Sequence, residues 1–240
     1  MDRAEKGSPL YLGRLYPVIR GVIGFLVRNL TRLEVQGREQ VPDRGPYILV
    51  VNHLHWLDSP VILTVLPHPA RVFAGEKWAR RFLIGFLLHS VNAIFVKRGE
   101  VDRKALREAL ATIQAGGVLG MAPEGTRSKT GGLQRGRSGA AYLAFHSGAR
   151  LVPAACTGQE HVVSSWFHLR RARVRVVFGP PFDPPPVEGK VTTADLDSFT
   201  EEIMHRLAAL LPPEYRGVYA DVPVVDYSHQ GAESWKNDEV

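Results

Sequence analysis

The sequence predicts an α/β fold, with a mixed, mainly parallel central sheet flanked by helices and an N-terminal amphipathic helix at a membrane interface. Three observations support this prediction. Short apolar runs, several of them rich in β-branched residues, alternate with amphipathic stretches from Tyr47 onward. The composition, 45% hydrophobic and 22% charged over 240 residues, is that of an ordinary globular protein. An apolar segment carrying arginines precedes the strand-like runs and predicts the amphipathic helix.

The strand candidates are short, and the turn-forming residues Pro42, Gly45 and Pro46 precede the first of them. The candidates are 47–51, 71–74, 93–96, 118–121, 151–155 and 173–178. The amphipathic stretches predict helices at 77–90, 102–115, 137–147 and 194–211. We expect Asp102 to cap the second of these helices, because its carboxylate can accept hydrogen bonds from the free N–H groups of the first turn.

The N-terminal segment from Leu10 to Leu33 predicts a helix with one broad apolar face. Pro17 is tolerated only in a first helical turn, so the helix should begin near Leu15 or Tyr16. The apolar face comprises Leu15, Val18, Ile19, Val22, Ile23, Phe25, Leu26, Leu30 and Leu33, and the opposite arc holds Arg14, Arg20, Arg28 and Arg32. Such a helix either lies in a membrane interface or covers the protein's own core, and the pattern leaves both open.

Neither a conventional membrane-spanning helix nor a signal peptide is expected. No stretch of about 18 uncharged apolar residues occurs, and arginines interrupt every apolar run near the start. The stretch 77–90 opens with basic residues and continues as Phe82-Leu-Ile-Gly-Phe-Leu-Leu88. This pattern suits a lipid surface or a buried helix. The tail beyond Pro212 has no helical period, and we expect it to wrap the domain or fray.

The charge balance points to an anionic partner. The formal net charge is +6, which fits a nucleic acid, a phosphorylated substrate or an anionic membrane surface. A genome rich in G and C would also enrich arginine without any functional cause. Cys156 is the single cysteine, so no internal disulfide can form, which fits a reducing compartment.

The densest group of chemically active residues is Asn52-His-Leu-His-Trp-Leu-Asp58, directly after the first strand candidate. The end of a strand is where an α/β fold presents functional groups. On a straight helix His53 and Asp58 would point about 140° apart, so they can meet only if His53 lies on the loop and Asp58 begins the following helix. The carboxylate would then accept the Nδ1 proton and leave Nε2 as a general base for an alcohol.

Two other interpretations of this segment remain open. His53, His55 and Asp58 have the spacing of a partial metal-ligand cluster, although no second group of ligands stands out in the sequence. Alternatively, Asp58 is only a helix cap, and the histidines pack beneath a loop.

A second group, Ala122-Pro-Glu-Gly-Thr-Arg-Ser128, also follows a strand candidate. Gly125 permits close approach of the backbone, and the Thr126, Arg127 and Ser128 side chains are donors suited to phosphate oxygens. Glu124 is unusual in an anion site, so we expect it to orient Arg127 or to bind a substrate hydroxyl. Lys97 and Arg98 follow another strand candidate and add a second basic loop.

Binding of nucleotides or nucleic acids is weakly supported. The chain lacks both a Walker A pattern and a Gly-x-Gly-x-x-Gly pattern. Arg170, Arg171, Arg173 and Arg175 are explained equally well by an edge strand that faces water.

These motifs resemble the glycerophospholipid acyltransferase family, in particular its bacterial 1-acylglycerol-3-phosphate acyltransferases. The resemblance rests on four ordered blocks over about residues 30–210: His53 with Asp58, then 94–99, 123–128 and 151–155. Gly136, Gly139 and Ala140 also match the start of a helix rich in Gly and Ala in that family. Two positions differ, since His55 stands where many members have Ser, and Ala122 where they have Phe.

The resemblance implies a catalytic mechanism without cofactor or metal. His53, held by Asp58, would deprotonate an acceptor hydroxyl that attacks the thioester of acyl-CoA or acyl carrier protein. Arg127, with Lys97 or Arg98, would hold the phosphate of a lysophospholipid acceptor, with Gly125 and Thr126 in the same loop. Glu124 would bind the glycerol hydroxyl.

The resemblance also implies phospholipid synthesis at an anionic membrane surface, on the cytoplasmic face of the cell membrane, without nucleic acid as a partner. We expect a membrane-associating segment at 1–34, an acyltransferase domain at 35–212 and a C-terminal tail at 213–240. The alternatives are a related acyltransferase with another lipid, glycolipid or glycerol 3-phosphate acceptor, and a non-catalytic protein that binds membranes peripherally.

Overall fold

A seven-stranded sheet forms the centre of the molecule, which is described here from a computed structural model over residues 15–97 and 102–223. The strands are β1 (Thr31–Gln36), β2 (Tyr47–Val51), β3 (Arg71–Gly75), β4 (Ile94–Val96), β5 (Val118–Met121), β6 (Leu151–Thr157) and β7 (Ala172–Phe178). The helices are α1 (Tyr16–Leu30), α2 (Asp58–Val65), α3 (Phe82–Ser90), α4 (Arg103–Gln114), α5 (Gly139–Ser147), α6 (Val162–Phe167) and α7 (Thr193–Leu210).

The strand order is β1-β7-β6-β2-β5-β3-β4. Every pair is parallel except β6 with β7, which is antiparallel. The predicted mainly parallel sheet flanked by helices is therefore confirmed. The carboxyl ends of β2, β5 and β6 consequently share one edge of the sheet with the amino ends of β7 and β1. This edge is called the upper edge below.

The central strands of the sheet are buried on both faces, and their residues alternate between two apolar clusters. One cluster joins residues such as Ile48 and Leu119 to α4, α5 and α7. The other joins residues such as Leu49 and Val152 to α1 and α2. Parallel strands covered by helices on both sides are near-continuously apolar, as the fully buried β6 illustrates.

The arginines near β7 do not belong to an edge strand, so that interpretation was wrong. Arg173 and Arg175 do face water, because buried and exposed residues alternate along β7. However, β1 pairs with β7 over six residues and is itself the edge strand of the sheet. The sequence analysis missed β1 because Thr31-Arg-Leu-Glu-Val-Gln36 is short and half polar.

Helix α1 begins at Tyr16, where the position of Pro17 predicts it. It docks on the domain through a narrow stripe that includes Tyr16, Gly24 and Val27. Much of the predicted apolar face remains exposed, including Val22 and Phe25. The segment therefore covers part of the core and also presents apolar side chains to its surroundings. Within the described residues, no helix has both the length and the apolarity needed to cross a bilayer.

Two other predicted segments differ in detail from the structure. Helix α3 begins at Phe82 rather than at residue 77, because a separate 3-10 turn occupies Glu76–Trp78. The tail wraps the domain as far as residue 223: Leu133 donates its N–H to the Tyr215 carbonyl, and Val218 donates to the Leu133 carbonyl. Cys156 is fully buried, and burial raises the pKa of its thiol.

Asp102 caps α4 as predicted, and its replacement tests that cap. Its carboxylate accepts hydrogen bonds from the N–H groups of Lys104, Ala105 and Lys97. The bond from Ala105 contributes most to holding the carboxyl pKa below its ordinary value. A lowered carboxyl pKa stabilises the fold above the unfolded pKa, and this stabilisation disappears as the pH falls through the folded pKa.

Asp102→Ala should therefore lower the free energy of unfolding by about 1 kcal/mol at neutral pH, and by less in acid. Urea unfolding measures the difference, and Asp102→Asn is the control because its amide oxygen can still cap the helix. Equal losses for Ala and Asn at neutral pH would contradict the capping role.

Candidate active site

The two motif segments lie side by side at the upper edge, because β2 and β5 are parallel neighbours. Residues 52–57 leave the end of β2 and lead into α2, and residues 122–128 leave the end of β5. Ser128 donates its N–H to the His53 carbonyl at 2.7 Å, which joins the two loops directly. The chain topology alone thus brings together groups that are about 70 residues apart.

His53 and Asp58 form a hydrogen-bonded pair with the geometry that their spacing predicts. His53 lies on the loop, and Asp58 is the first residue of α2. The Nδ1–H of His53 donates to Oδ2 of Asp58 at 2.7 Å. Because a carboxylate only accepts, the neutral imidazole carries its proton on Nδ1, and Nε2 is left as a free acceptor. The start of a helix also favours a negative charge at Asp58.

Asp58 is only 1% exposed, and further donors compensate its buried charge. The backbone N–H of His55 reaches both carboxylate oxygens, at 3.1 and 3.0 Å. The Nε2 of Gln159, which is fully buried, donates to Oδ1 at 2.6 Å. The sequence analysis missed Gln159. It follows β6 after a single glycine, and this position at a strand end was the only signal available.

Asn52 holds the loop at 52–57 to the sheet. Its side-chain amide donates to the Cys156 carbonyl at 2.8 Å, and its amide oxygen accepts the Cys156 N–H at 2.7 Å. Asn52 and Cys156 are both fully buried. These two hydrogen bonds connect the ends of β2 and β6. They therefore fix the start of the loop that carries His53.

Glu124 also holds the His53 loop in place, through hydrogen bonds from backbone N–H groups. Its two oxygens accept the N–H groups of His53, at 2.8 Å, and of Gln134, at 2.9 Å. The residue is only 2% exposed, and each of its carboxylate oxygens accepts a hydrogen bond from a backbone N–H group. Burial raises the carboxyl pKa, and these hydrogen bonds oppose the rise.

His55 does not complete a metal site with its neighbours. Its backbone, rather than its ring, contacts Asp58, and its Nδ1 is buried without a hydrogen-bond partner among the described residues. Burial lowers the pKa of the ring, and the positive charge of Arg127 contributes to the lowering. In the described ranges, no three His, Cys, Asp or Glu side chains are grouped as metal ligands. The metal interpretation therefore has no donor set in this part of the chain.

A cavity of about 880 Å³ opens beside His53 and Asp58. Its volume is typical of pockets that bind small molecules. Most of its walls are apolar: they include Leu49, Leu66, Ala70, Val72, Ala74 and Met121. Its cationic lining residues are Lys97, Arg103, Arg107 and Arg137. The site therefore combines a histidine–carboxylate pair, a mainly apolar cavity and four cationic lining residues.

The predicted anion-binding residues are only partly brought together. Lys97 and Gly125 line the cavity, whereas Thr126 and Arg127 are half-buried beside it and Arg98 lies outside the described residues. Gly125 has a φ of +70°, and a Cβ there would lie 2.8 Å from Cδ of Arg137. The close approach expected at this glycine is therefore made by Arg137, which the sequence analysis did not include.

This arrangement defines an α/β protein that presents a histidine–carboxylate pair to an apolar cavity. A sequence model of the family described as Acyltransferase matches residues 32–157, slightly more than half of the chain. The matched region contains His53, Asp58 and Glu124. The chain therefore belongs to the Acyltransferase family.

Individual relatives agree with this assignment. A 1-acyl-sn-glycerol-3-phosphate acyltransferase of Borreliella burgdorferi is 25% identical over 124 residues, which cover 51% of this chain and 50% of the relative. One of Limnanthes douglasii is 28% identical over 177 residues, which cover 72% and 62%. A lyso-ornithine lipid O-acyltransferase of Pseudomonas aeruginosa is 27% identical over 124 residues, which cover 51% and 46%. The chain thus spans about half to three-fifths of the length of these curated relatives.

The fold also occurs in a solved structure. The 1-acyl-sn-glycerophosphate acyltransferase PlsC of Thermotoga maritima superposes with a TM-score of 0.59 at 23% identity, and the match covers 77% of this chain and 76% of that one. This likeness shows a shared architecture.

A glutamate at position 159 tests the contact with Asp58. In Gln159→Glu, the introduced carboxyl would lie against the buried Asp58 carboxylate, so the pKa of the introduced group would rise above its value in the unfolded chain. A raised acid pKa leaves stability intact below the unfolded pKa and removes it as the pH rises through the folded pKa. We expect Tm to be near the wild-type value at about pH 4. At neutral and higher pH the loss should be about 3 kcal/mol, or several degrees.

Gln159→Met is the matched control, because it loses the hydrogen bond at every pH and adds no carboxyl. Thermal unfolding across the pH range distinguishes the variants. If Tm changed with pH in the same way in wild type and Gln159→Glu, residue 159 would not contact the Asp58 carboxylate.

Proposed function

We propose that this protein transfers a fatty acyl group from a thioester donor to the free hydroxyl of a 1-acylglycerol 3-phosphate, which yields phosphatidic acid. The observation that carries the proposal is the His53–Asp58 pair in the wall of an apolar cavity with a basic rim. The named activity of several relatives supports the same acceptor.

The reaction begins with proton removal from the acceptor hydroxyl by Nε2 of His53. Asp58 holds the ring through Nδ1 and stabilises the imidazolium that forms. The hydroxyl oxygen attacks the thioester carbonyl and gives a tetrahedral oxyanion. The C–S bond then breaks, the leaving thiolate takes the proton from His53, and an ester and a free thiol are released.

The residues around this pair keep it in position. Glu124 holds the backbone of His53, Asn52 holds the loop to β6, and Gln159 holds the Asp58 carboxylate. Such fixed orientation contributes to rate because the reacting groups need no further ordering. Glu124 accordingly acts as a positioning residue in this proposal, because it holds the backbone of the proposed base.

The basic residues hold the phosphate of the acceptor. Lys97 and Arg137 line the cavity, and Arg127 lies near His55 on the neighbouring loop. Guanidinium groups bind phosphate oxygens through paired, charge-assisted hydrogen bonds. The apolar walls accept the acyl chain and exclude water from the reacting thioester.

The donor is acyl-CoA or acyl carrier protein, and the enzyme acts from the cytoplasmic face of the membrane as a peripheral protein. The exposed apolar residues of α1 and α3 support membrane contact, among them Val22, Phe25, Phe82 and Leu83. A related acceptor such as a lyso-ornithine lipid is the second candidate, because one relative carries that activity in its name.

Replacement of His53 tests the reaction directly. Thiol release from palmitoyl-CoA in the presence of lysophosphatidic acid should depend on the acceptor and fall about 10²–10⁴-fold in His53→Ala. His146→Ala is the control, because His146 is an exposed histidine on α5. Activity that survives in His53→Ala would contradict the mechanism. If the wild type releases no thiol, the same assay is repeated with acyl carrier protein as donor or a lyso-ornithine lipid as acceptor.

A charge on α1 tests membrane contact. Val22 is 55% exposed, so Val22→Glu should fold normally but lower sedimentation with anionic vesicles about tenfold, since a carboxylate resists transfer into the interface. Val218→Glu is the matched control at an exposed valine outside α1 and α3. Equal vesicle binding by both variants would mean that α1 does not touch the lipid.

A further inference from the structure

Helix α6 and the turn after it carry an exposed apolar surface that no catalytic step uses. The surface consists of Val163, Trp166, Phe167 and Leu169, and is called the α6 surface below. Trp166, Phe167 and Leu169 are 57%, 79% and 93% exposed. Within α6 only Val162 is buried, so the helix contributes little to the core. Large apolar side chains exposed together at this density usually mark an interaction site.

The chain topology places the α6 surface at the upper edge, where the cavity opens. Strand β6 ends at this edge, α6 follows it, and β7 starts there again. Arg171 ties the same segment to the end of α1, because its guanidinium donates to the carbonyls of Asn29 and Arg28. The segment that carries the α6 surface therefore lies against the C-terminal end of α1.

The charged residues that follow the α6 surface in the sequence are positive. Arg170, Arg171, Arg173 and Arg175 follow it, all of them exposed, and no Asp or Glu occurs from residue 161 to residue 182. Apolar and aromatic side chains bordered by arginines are the composition of segments that lie at the headgroup level of a bilayer. Each nearby arginine also attracts the segment to anionic lipids.

The exposed large apolar residues are concentrated in a few elements of the structure. In the described part of the chain, every large apolar side chain counted as exposed, except Val218, belongs to one of four places: residues 15–26 in and just before α1, Trp56 in the catalytic loop, α3, or the α6 surface. The loop with Trp56 follows β2, and the segment that leads to α3 follows β3. Both strands end at the upper edge. A bilayer is an extended partner that can contact several separate elements, whereas a single protein surface would have to match each of them.

We propose that the α6 surface is a third lipid-contacting element, which inserts Trp166, Phe167 and Leu169 into the interface of an anionic bilayer at the upper edge of the sheet. This inference rests on the proposed membrane function and extends it to a segment downstream of the acyltransferase motifs. It gives the site three points of contact with the lipid plane, so the mouth of the cavity faces the layer that holds the acceptor.

A single fluorescent label tests the proposal. The only native cysteine, Cys156, is buried, so an environment-sensitive fluorophore can be attached to Phe167→Cys alone. Lys190→Cys is the matched control, since it is exposed in the loop beyond the opposite end of β7. Each labelled full-length protein is mixed with vesicles of phosphatidylcholine and phosphatidylglycerol, with and without brominated lipid tails. Sedimentation and thiol release are measured on the same samples.

The proposal predicts a blue shift and bromine quenching for the label at position 167, and neither change at position 190. It also predicts that Phe167→Ser lowers the vesicle partition constant about tenfold, while thiol release in detergent micelles is unchanged.

Other outcomes overturn it. Sedimentation with a water-exposed label at position 167 would refute the α6 contact and leave membrane binding through α1 and α3 intact. Absence of sedimentation in all samples would refute lipid contact by the α6 surface and also the proposed membrane contact through α1 and α3. A label shielded by acyl carrier protein but not by vesicles would mark a protein-docking surface, and a label shielded before any addition would mean that the chain covers this surface itself.

Discussion

The active site depends on the compensation of one buried charge, the carboxylate of Asp58. A charge in an apolar interior is tolerated only when hydrogen-bond donors surround it. Here the donors are the ring of His53, the backbone of His55 and the side chain of Gln159. Each donor belongs to a different part of the loop or strand end, so satisfying the carboxylate also fixes the position of the proposed base. Loss of any one donor leaves a buried charge undercompensated.

The surrounding fold converts this local constraint into a site for lipid chemistry. Parallel strands place both motif loops at the upper edge, and helices on both faces keep the sheet dry. The same edge opens to an apolar cavity with a basic rim and carries exposed apolar helices. In the proposed function, a substrate with a phosphate head and a hydrocarbon tail would meet complementary chemistry around His53, and the low-dielectric walls would strengthen the electrostatic interactions within the cavity.

The sequence predicted most of the sheet and the meeting of His53 with Asp58, because both depend on local patterns and short spacing. It did not predict the role of Glu124, whose partners are backbone N–H groups at positions 53 and 134. Gln159 was missed because it reaches Asp58 across 101 residues, a contact set by the pairing of β2 with β6. Strand β1 and helix α6 were missed because they are short and lack strong periodicity. Long-range contacts, rather than local preference, determined the positions of Glu124 and Gln159.

The central claim is that neutral His53 carries its proton on Nδ1 and presents a bare Nε2 to the cavity. Nitrogen-15 NMR of protein labelled at histidine, at mildly alkaline pH, tests this claim most directly, and the spectrum of His53→Gln assigns the signals. The account predicts that Nδ1 of His53 is protonated and hydrogen-bonded, and that Nε2 is unprotonated. A proton on Nε2 would mean that Asp58 does not orient the ring, and His53 could not then act as the base.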